Sequence, residues 1–208
     1  MELSDAKAAA IRHWDARPCG AEAAMGAAEG TREFFDLTDR DRYERYAPWL
    51  PGIARWDRFT GQDLLEVGCG TGADLARFAA AGARVSGIDL SRRHLELTRS
   101  RFDLSGLPVR LERADAERLP YRNSSFDVVY SFGVIHHTSD MAAAVHEIRR
   151  VLRPGGFAII AVYNLLFVNF ALTMLALWRT VISSANRSVR VWHASKARPG
   201  RVVQWFEQ

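Results

Sequence analysis

The chain has 208 residues, of which 48% are hydrophobic and 25% charged, and its formal net charge is +4. That length gives one domain with a full core, and that composition excludes a chain disordered throughout. The positive charge is almost all arginine, with lysine only at Lys7 and Lys196. A basic excess of this kind reflects a biased composition as much as a nucleic-acid surface. No basic-aromatic module accompanies it, so no nucleic-acid partner is expected. Cys19 and Cys69 follow no pairing pattern, which fits a reducing, cytoplasmic compartment. The first 18 residues lack the apolar core of a signal peptide.

Residues 4–16 read as a short helix, with Ser4 as candidate cap. Residues 15–30 carry Pro18, Gly20, Gly26 and Gly30 among small residues and read as a loop or flap. Residues 31–49 read as a second helix bearing Phe34, Phe35, Tyr43, Tyr46 and Trp49, which either covers a sheet or helps to close a pocket. Pro48 and Pro51 are expected to end it. Residues 1–60 thus form a helical cap ahead of a core over 61–163, with an apolar and then basic segment over 164–208.

The core opens with DLLEVGCGTGADLARF at 63–78. Residues 63–67 read as a buried strand, and 71–81 as a helix with Leu75, Phe78 and Ala79 on one face. Between them, Gly68, Gly70 and Gly72 allow positive φ angles and a close approach of backbone to a ligand at a helix N-terminus. Two ligand classes fit. Gly68-Cys69-Gly70-Thr71-Gly72-Ala73 is the dinucleotide fingerprint in its GxGxxA form. Preceded by Glu66, the same loop reads E-x-G-x-G-x-G, and an acid there suits a cationic ligand and is poor beside a pyrophosphate. With this loop the chain resembles the class I S-adenosylmethionine-dependent methyltransferases. The nearest branch is the type 11, small-molecule one that includes the ubiquinone and menaquinone biosynthesis methyltransferases.

Residues 84–90 read as the second strand, ending in Asp89 and Leu90. Asp89 lies where nucleotide-binding sheets place the ribose acid; its alternative role is a helix cap, for which Ser91 is the better candidate ahead of a helix over 91–102. Residues 109–114 form a third strand. The resemblance implies that Asp115 accepts from the adenine amino group and that the Ala116 N–H addresses the ring. Residues 126–132 form the fourth strand. The resemblance sets the backbone of Ser131, Phe132 and Gly133 against the methionine end of the cofactor, and His136 beside the reacting methyl. His136 and His137 are candidate general bases because imidazole titrates near neutrality; the alternative is packing against the cofactor. A helix over 140–152, a turn over 153–156 and a fifth strand over 157–163 follow, and Tyr163 could line the acceptor side.

The expectation is therefore an α/β, Rossmann-like doubly wound sheet of the class I methyltransferase type. That family has seven strands, the last two forming an antiparallel pair. Here residues 165–182 are apolar and read as helix, 183–201 are polar and basic, and only 202–206 has strand character. The C-terminal strands are thus expected to be shortened or missing, leaving room for a homodimer or a membrane-surface contact through 164–182. The implied activity is S-adenosylmethionine-dependent methyl transfer (EC 2.1.1.-) to a small or lipophilic acceptor, yielding S-adenosylhomocysteine, with no metal. An NAD-dependent oxidoreductase and a non-catalytic cofactor-binding or membrane-associated module are the alternatives.

Overall fold

The computed structural model describes residues 5–163 and 191–194. Six strands form one sheet in the order β3-β2-β1-β4-β5-β6. They are β1 (Asp63–Val67), β2 (Arg84–Asp89), β3 (Arg110–Arg113), β4 (Phe126–Phe132), β5 (Leu152–Tyr163) and β6 (Val191–Ala194), and every neighbouring pair is parallel. Six α-helices accompany them: α1 (Asp5–Ala16), α2 (Arg32–Arg40), α3 (Leu50–Ala54), α4 (Ala73–Ala80), α5 (Arg92–Ser105) and α6 (Met141–Val151). The order reverses between β1 and β4. Such a switch point opens a crevice at the carboxyl ends of the strands.

The central strands β1 and β4 are buried on both faces, as the middle of a parallel sheet must be. Leu64, Val128 and Tyr130 point to one side, where they pack with Leu75 and Phe78 of α4 and Phe102 of α5. Leu65, Val67 and Val129 point to the other, against Ala144, Ile148 and Val151 of α6. The period-two alternation of one short strand thus feeds two cores. A third cluster joins Phe34 and Phe35 of α2 to Leu97 of α5 and Ala24.

Three local expectations are corrected. The helix over 31–49 is broken: α2 gives way to a wider, π-type segment over Asp41–Tyr46. Pro51 does not end a helix but lies in the first turn of α3, where a missing N–H costs nothing. The 153–156 turn is an excursion within β5, since Phe126 pairs with Leu152 but Val128 pairs with Phe157. Glycine is required there because a Cβ at Gly156 would lie 2.8 Å from the Asp127 carbonyl oxygen. The loop over 15–30 contains a 3-10 turn over Ala21–Ala24.

Beyond β5 the outcome is mixed. Residues 183–201, read as polar and basic, contain β6, which runs parallel to β5 with Ile160 opposite Val191. A four-residue strand is too short to show a hydrophobic period. The apolar helix over 165–182 and the strand over 202–206 lie outside the described residues. Among the described residues, no helix is long and apolar enough to cross a membrane.

Candidate active site

The glycine bend follows directly from β1. Gly68, Gly70 and Gly72 all take positive φ, at 75°, 55° and 75°. A Cβ on Gly68 would meet Val134 Cγ2 at 2.3 Å, and one on Gly72 would meet Thr98 Cγ2 at 2.8 Å. The bend is held from both sides. The Gly68 and Cys69 N–H groups donate to the Ile88 carbonyl at 2.8 and 3.0 Å, and the Gly70 N–H donates to Asp89 Oδ2 at 2.9 Å. From α5, Thr98 Oγ1 donates to the Gly70 carbonyl at 2.8 Å and Arg101 Nε to the Thr71 carbonyl at 2.9 Å. The first three amides of the bend therefore face β2, so they do not form a cradle for a pyrophosphate.

A cavity opens beside this bend at the carboxyl ends of the strands. Gly68, Gly70, Asp89, Leu90, Asp115, Ala116, Phe132, Gly133 and His137 line it, together with Lys7, Ala10, Ile11 and Trp14 of α1. Asp89 receives N–H bonds from Gly70 and, on Oδ1 at 2.9 Å, from Ser91. Asp115, 6% exposed, caps its own turn by accepting from Glu117 N at 3.0 Å. The structure thus brings the two expected nucleoside acids to one cavity, from the tips of adjacent strands. Ser91 caps α5 by accepting from His94 N at 3.1 Å, as its position implied.

Other expected positions do not line the cavity. Cys69 is buried, with its Sγ 3.8 Å from Thr98 Oγ1 and its thiol pushed up by burial and the nearby Asp89 and Glu66 carboxylates. Gly72 opens α4, and Ser131 Oγ donates to the Val67 carbonyl at 3.1 Å. His136 lies behind His137, their ring centroids 4.0 Å apart. Burial, and secondarily the neighbouring His137, push the His136 pKa down to about 4. His137 is lowered too, by burial and then by His13. Both rings are therefore neutral at pH 7.

Glu66 sits below the bend, 3% exposed, with Oε2 lacking a hydrogen-bond partner. Burial and then the adjacent Asp74 raise its pKa well above the usual carboxylate range. Asp74, in the first turn of α4, is the centre of a network that sequence reading missed. Its carboxylate accepts from Arg42 Nε at 3.0 Å, Tyr43 Oη at 2.8 Å and Tyr130 Oη at 2.7 Å, and also pairs with Arg42 Nη2. Burial works against its charge, but Arg42 and these hydrogen bonds outweigh burial and hold its pKa down. Arg42 also lines the cavity and stacks on Phe132, 4.6 Å from the ring centroid. The only sequence cue for this network was an acid in the first turn of a helix, which the helix dipole favours by itself.

Sulfonium and ammonium groups suit this setting. The cavity combines two acids with a glycine bend whose amides are engaged elsewhere, whereas Glu66, buried beneath the bend, does not line it. Among the described residues, no cluster of His, Cys, Asp and Glu could hold a metal ion.

Residues 65–160 match the family model described as a methyltransferase domain. The chain is 41% identical over 110 residues to the methyltransferase GfsG of Streptomyces halstedii, covering 51% of this chain and 40% of that protein. It is 30% identical over 149 residues to a ubiquinone biosynthesis O-methyltransferase of Methylocella silvestris, covering 72% of this chain and 55% of that one. The chain thus spans about half the length of these curated relatives or less. A solved SAM-dependent methyltransferase from Aquifex aeolicus superposes with a TM-score of 0.53 at 20% identity, over 61% of this chain and 69% of that one, and shows the shared fold. Over residues 65–160 the core thus matches the methyltransferase-domain family, and the chain is related to the O-methyltransferase and ubiquinone-methyltransferase branch of the class I S-adenosylmethionine-dependent methyltransferases.

Proposed function

We propose that the chain is an S-adenosylmethionine-dependent methyltransferase acting on a small or lipophilic acceptor. The observation that carries this reading is the pairing of Asp89 and Asp115 in one cavity beside a glycine bend whose amides face β2. A nucleotide pyrophosphate needs those amides, so the same observation counts against the NAD-dependent alternative. Asp89 would take the ribose hydroxyls, Asp115 and Ala116 the adenine, and Phe132 and Gly133 the methionine end. The bound cofactor supplies a methyl group already activated on sulfonium.

The protein then has two tasks. One is orientation, which contributes up to about 7–11 kcal/mol where alignment is ideal. The other is removal of a proton when the acceptor is a hydroxyl or amine. His137 lines the cavity in a neutral form, so its ring can accept that proton; His136 packs against it. Residues 1–60 serve as the cap, a role supported by Lys7, Ala10, Ile11 and Trp14 of α1, which line the cavity. Both relatives named above are methyltransferases, one of them acting in ubiquinone biosynthesis. That kinship, with the apolar composition of residues 164–182, supports a lipophilic acceptor or contact with a membrane surface, and the two cysteines without a pairing pattern fit a cytoplasmic enzyme.

Calorimetric titration with S-adenosylhomocysteine and with NAD tests the reading. Binding of S-adenosylhomocysteine alone, abolished by Asp89→Ala, is expected. Binding of NAD alone would overturn it. Native mass spectrometry of the purified protein would show a retained cofactor and the assembly state directly.

A further inference from the structure

His94 occupies the first turn of α5, just beyond the ribose acid, and is 4% exposed. Its ring nitrogens have different surroundings. Nε2 lies 3.2 Å from the backbone nitrogen of Cys19, and an amide nitrogen can only donate. Nε2 must therefore present its lone pair. A neutral imidazole then carries its single proton on Nδ1. Nδ1 lies 3.3 Å from Asp89 Oδ2, although the ring is not aligned for a linear hydrogen bond. Trp14 covers the ring, with centroids 6.1 Å apart.

A carboxylate turns easily about its last torsion, so ribose recognition needs that torsion fixed. Two backbone amides, from Gly70 and Ser91, already grip Asp89. We propose that His94 is a positioning residue for the cofactor ribose. The Cys19 N–H holds its ring as the Nδ1–H tautomer, and that proton, with the two amides, sets the Asp89 carboxylate for two vicinal hydroxyls. A protonated ring would set Nε2–H against the Cys19 N–H, so the arrangement requires the neutral form. Cys19 belongs to the segment after α1, and its Cβ would lie 3.9 Å from a Cβ on Gly70. One ring thus ties the covering segment to the acid beneath it. This inference rests on the proposed function.

Nitrogen-15 spectra of the histidine rings in the wild-type protein at neutral pH test the tautomer. An Nδ1–H neutral ring for His94 is expected; an Nε2–H or a cationic ring would overturn the assignment. Two variants then test the role. His94→Leu should weaken S-adenosylhomocysteine binding about threefold, the scale of a close polar contact that is not a well-aligned hydrogen bond, and should reduce discrimination between adenosine and 2′-deoxyadenosine. His94→Asn, which returns an amide donor at the δ position, should restore most of that discrimination, a rescue that loss of packing would not show. Unchanged affinity and unchanged discrimination in His94→Leu would overturn the inference alone. A wild-type protein that binds no S-adenosylhomocysteine would overturn the cofactor reading and this assignment together.

Discussion

Lys7 Nζ lies 2.6 Å from Asp115 Oδ2 and 2.5 Å from Glu117 Oε2, so a cation from α1 rests on the carboxylate proposed to take the adenine amino group. The contact is mostly shielded, since the three side chains are 16%, 8% and 14% exposed. A second anchor lies at the far end of the helix, where Ser91 Oγ donates to Asp15 Oδ1 at 2.5 Å. Between them Ala10, Ile11 and Trp14 face the cavity. The helix therefore covers the nucleoside end of the site while competing for one of its recognition groups.

Lys7→Ala should therefore bind S-adenosylhomocysteine more tightly, by about tenfold, since a mostly shielded ion pair is worth at least the ~1 kcal/mol upper end of exposed pairs. Added salt should have a smaller effect on the variant than on the wild type. Calorimetry at low and high ionic strength measures both. Weaker binding in the variant would show that Lys7 supports the ligand instead of competing with it.

At Gly68 two costs combine, a left-handed φ of 75° and a Cβ overlap with Val134. Gly68→Ala should cost about 1–2 kcal/mol for the backbone and a further 1–3 kcal/mol or so for overpacking. Adding Val134→Ala should recover most but not all of the second part, because the Val134 Cβ would itself lie 2.9 Å away. Urea unfolding of the single and double variants separates the two, and full recovery would show that the backbone angle is not strained by a side chain.

Asp74→Asn should destabilise the protein by about 3–5 kcal/mol, because Arg42 would keep its charge without a partner. The folded-state pKa of Asp74 is held below its ordinary 3.8. Its stabilisation is therefore complete above that value and lost as the pH falls through the lower, folded value. The stability gap between wild type and variant should be wide at pH 7 and shrink in strong acid. A gap independent of pH would place the effect in packing.

The histidine pair has the opposite charge logic with the same pH direction. His136 is pushed from 6.5 down to about 4 in the folded protein, so the unfolded chain binds more protons between those values. Stability from a neutral His136 is present above about pH 6.5 and declines as the pH falls toward 4. His136→Phe should flatten that decline in chemical denaturation at pH 5 and 8. His137→Ala, by contrast, should slow methyl transfer more than it weakens cofactor binding; an unchanged kcat would leave His137 a wall of the cavity only.

How far the sequence reached is clear from particular positions. The strand–bend–helix unit at 63–80, Asp89 and the Ser91 cap were legible because each depends on local signals: a short apolar run, glycines at positive φ, an acid at a strand tip; Asp115 was singled out only through the family resemblance. The sequence by itself therefore determined the parallel sheet and which strand tips meet at the crevice.

Only the tertiary structure decided what faces that crevice. Lys7 reaches Asp115 across 108 positions and Tyr130 reaches Asp74 across 56. No periodicity encodes contacts of that range. The same holds for His136 and His137, adjacent in sequence yet divided by the turn over Ile135–His137 into a ring behind and a ring on the cavity wall. Glu66 belongs to the same group: its place in the motif was visible, but only packing under the bend showed that it is sealed from the cavity it was expected to line. A motif specifies which residues stand near a ligand, whereas side-chain direction and burial, fixed by distant neighbours, decide which of them can touch it.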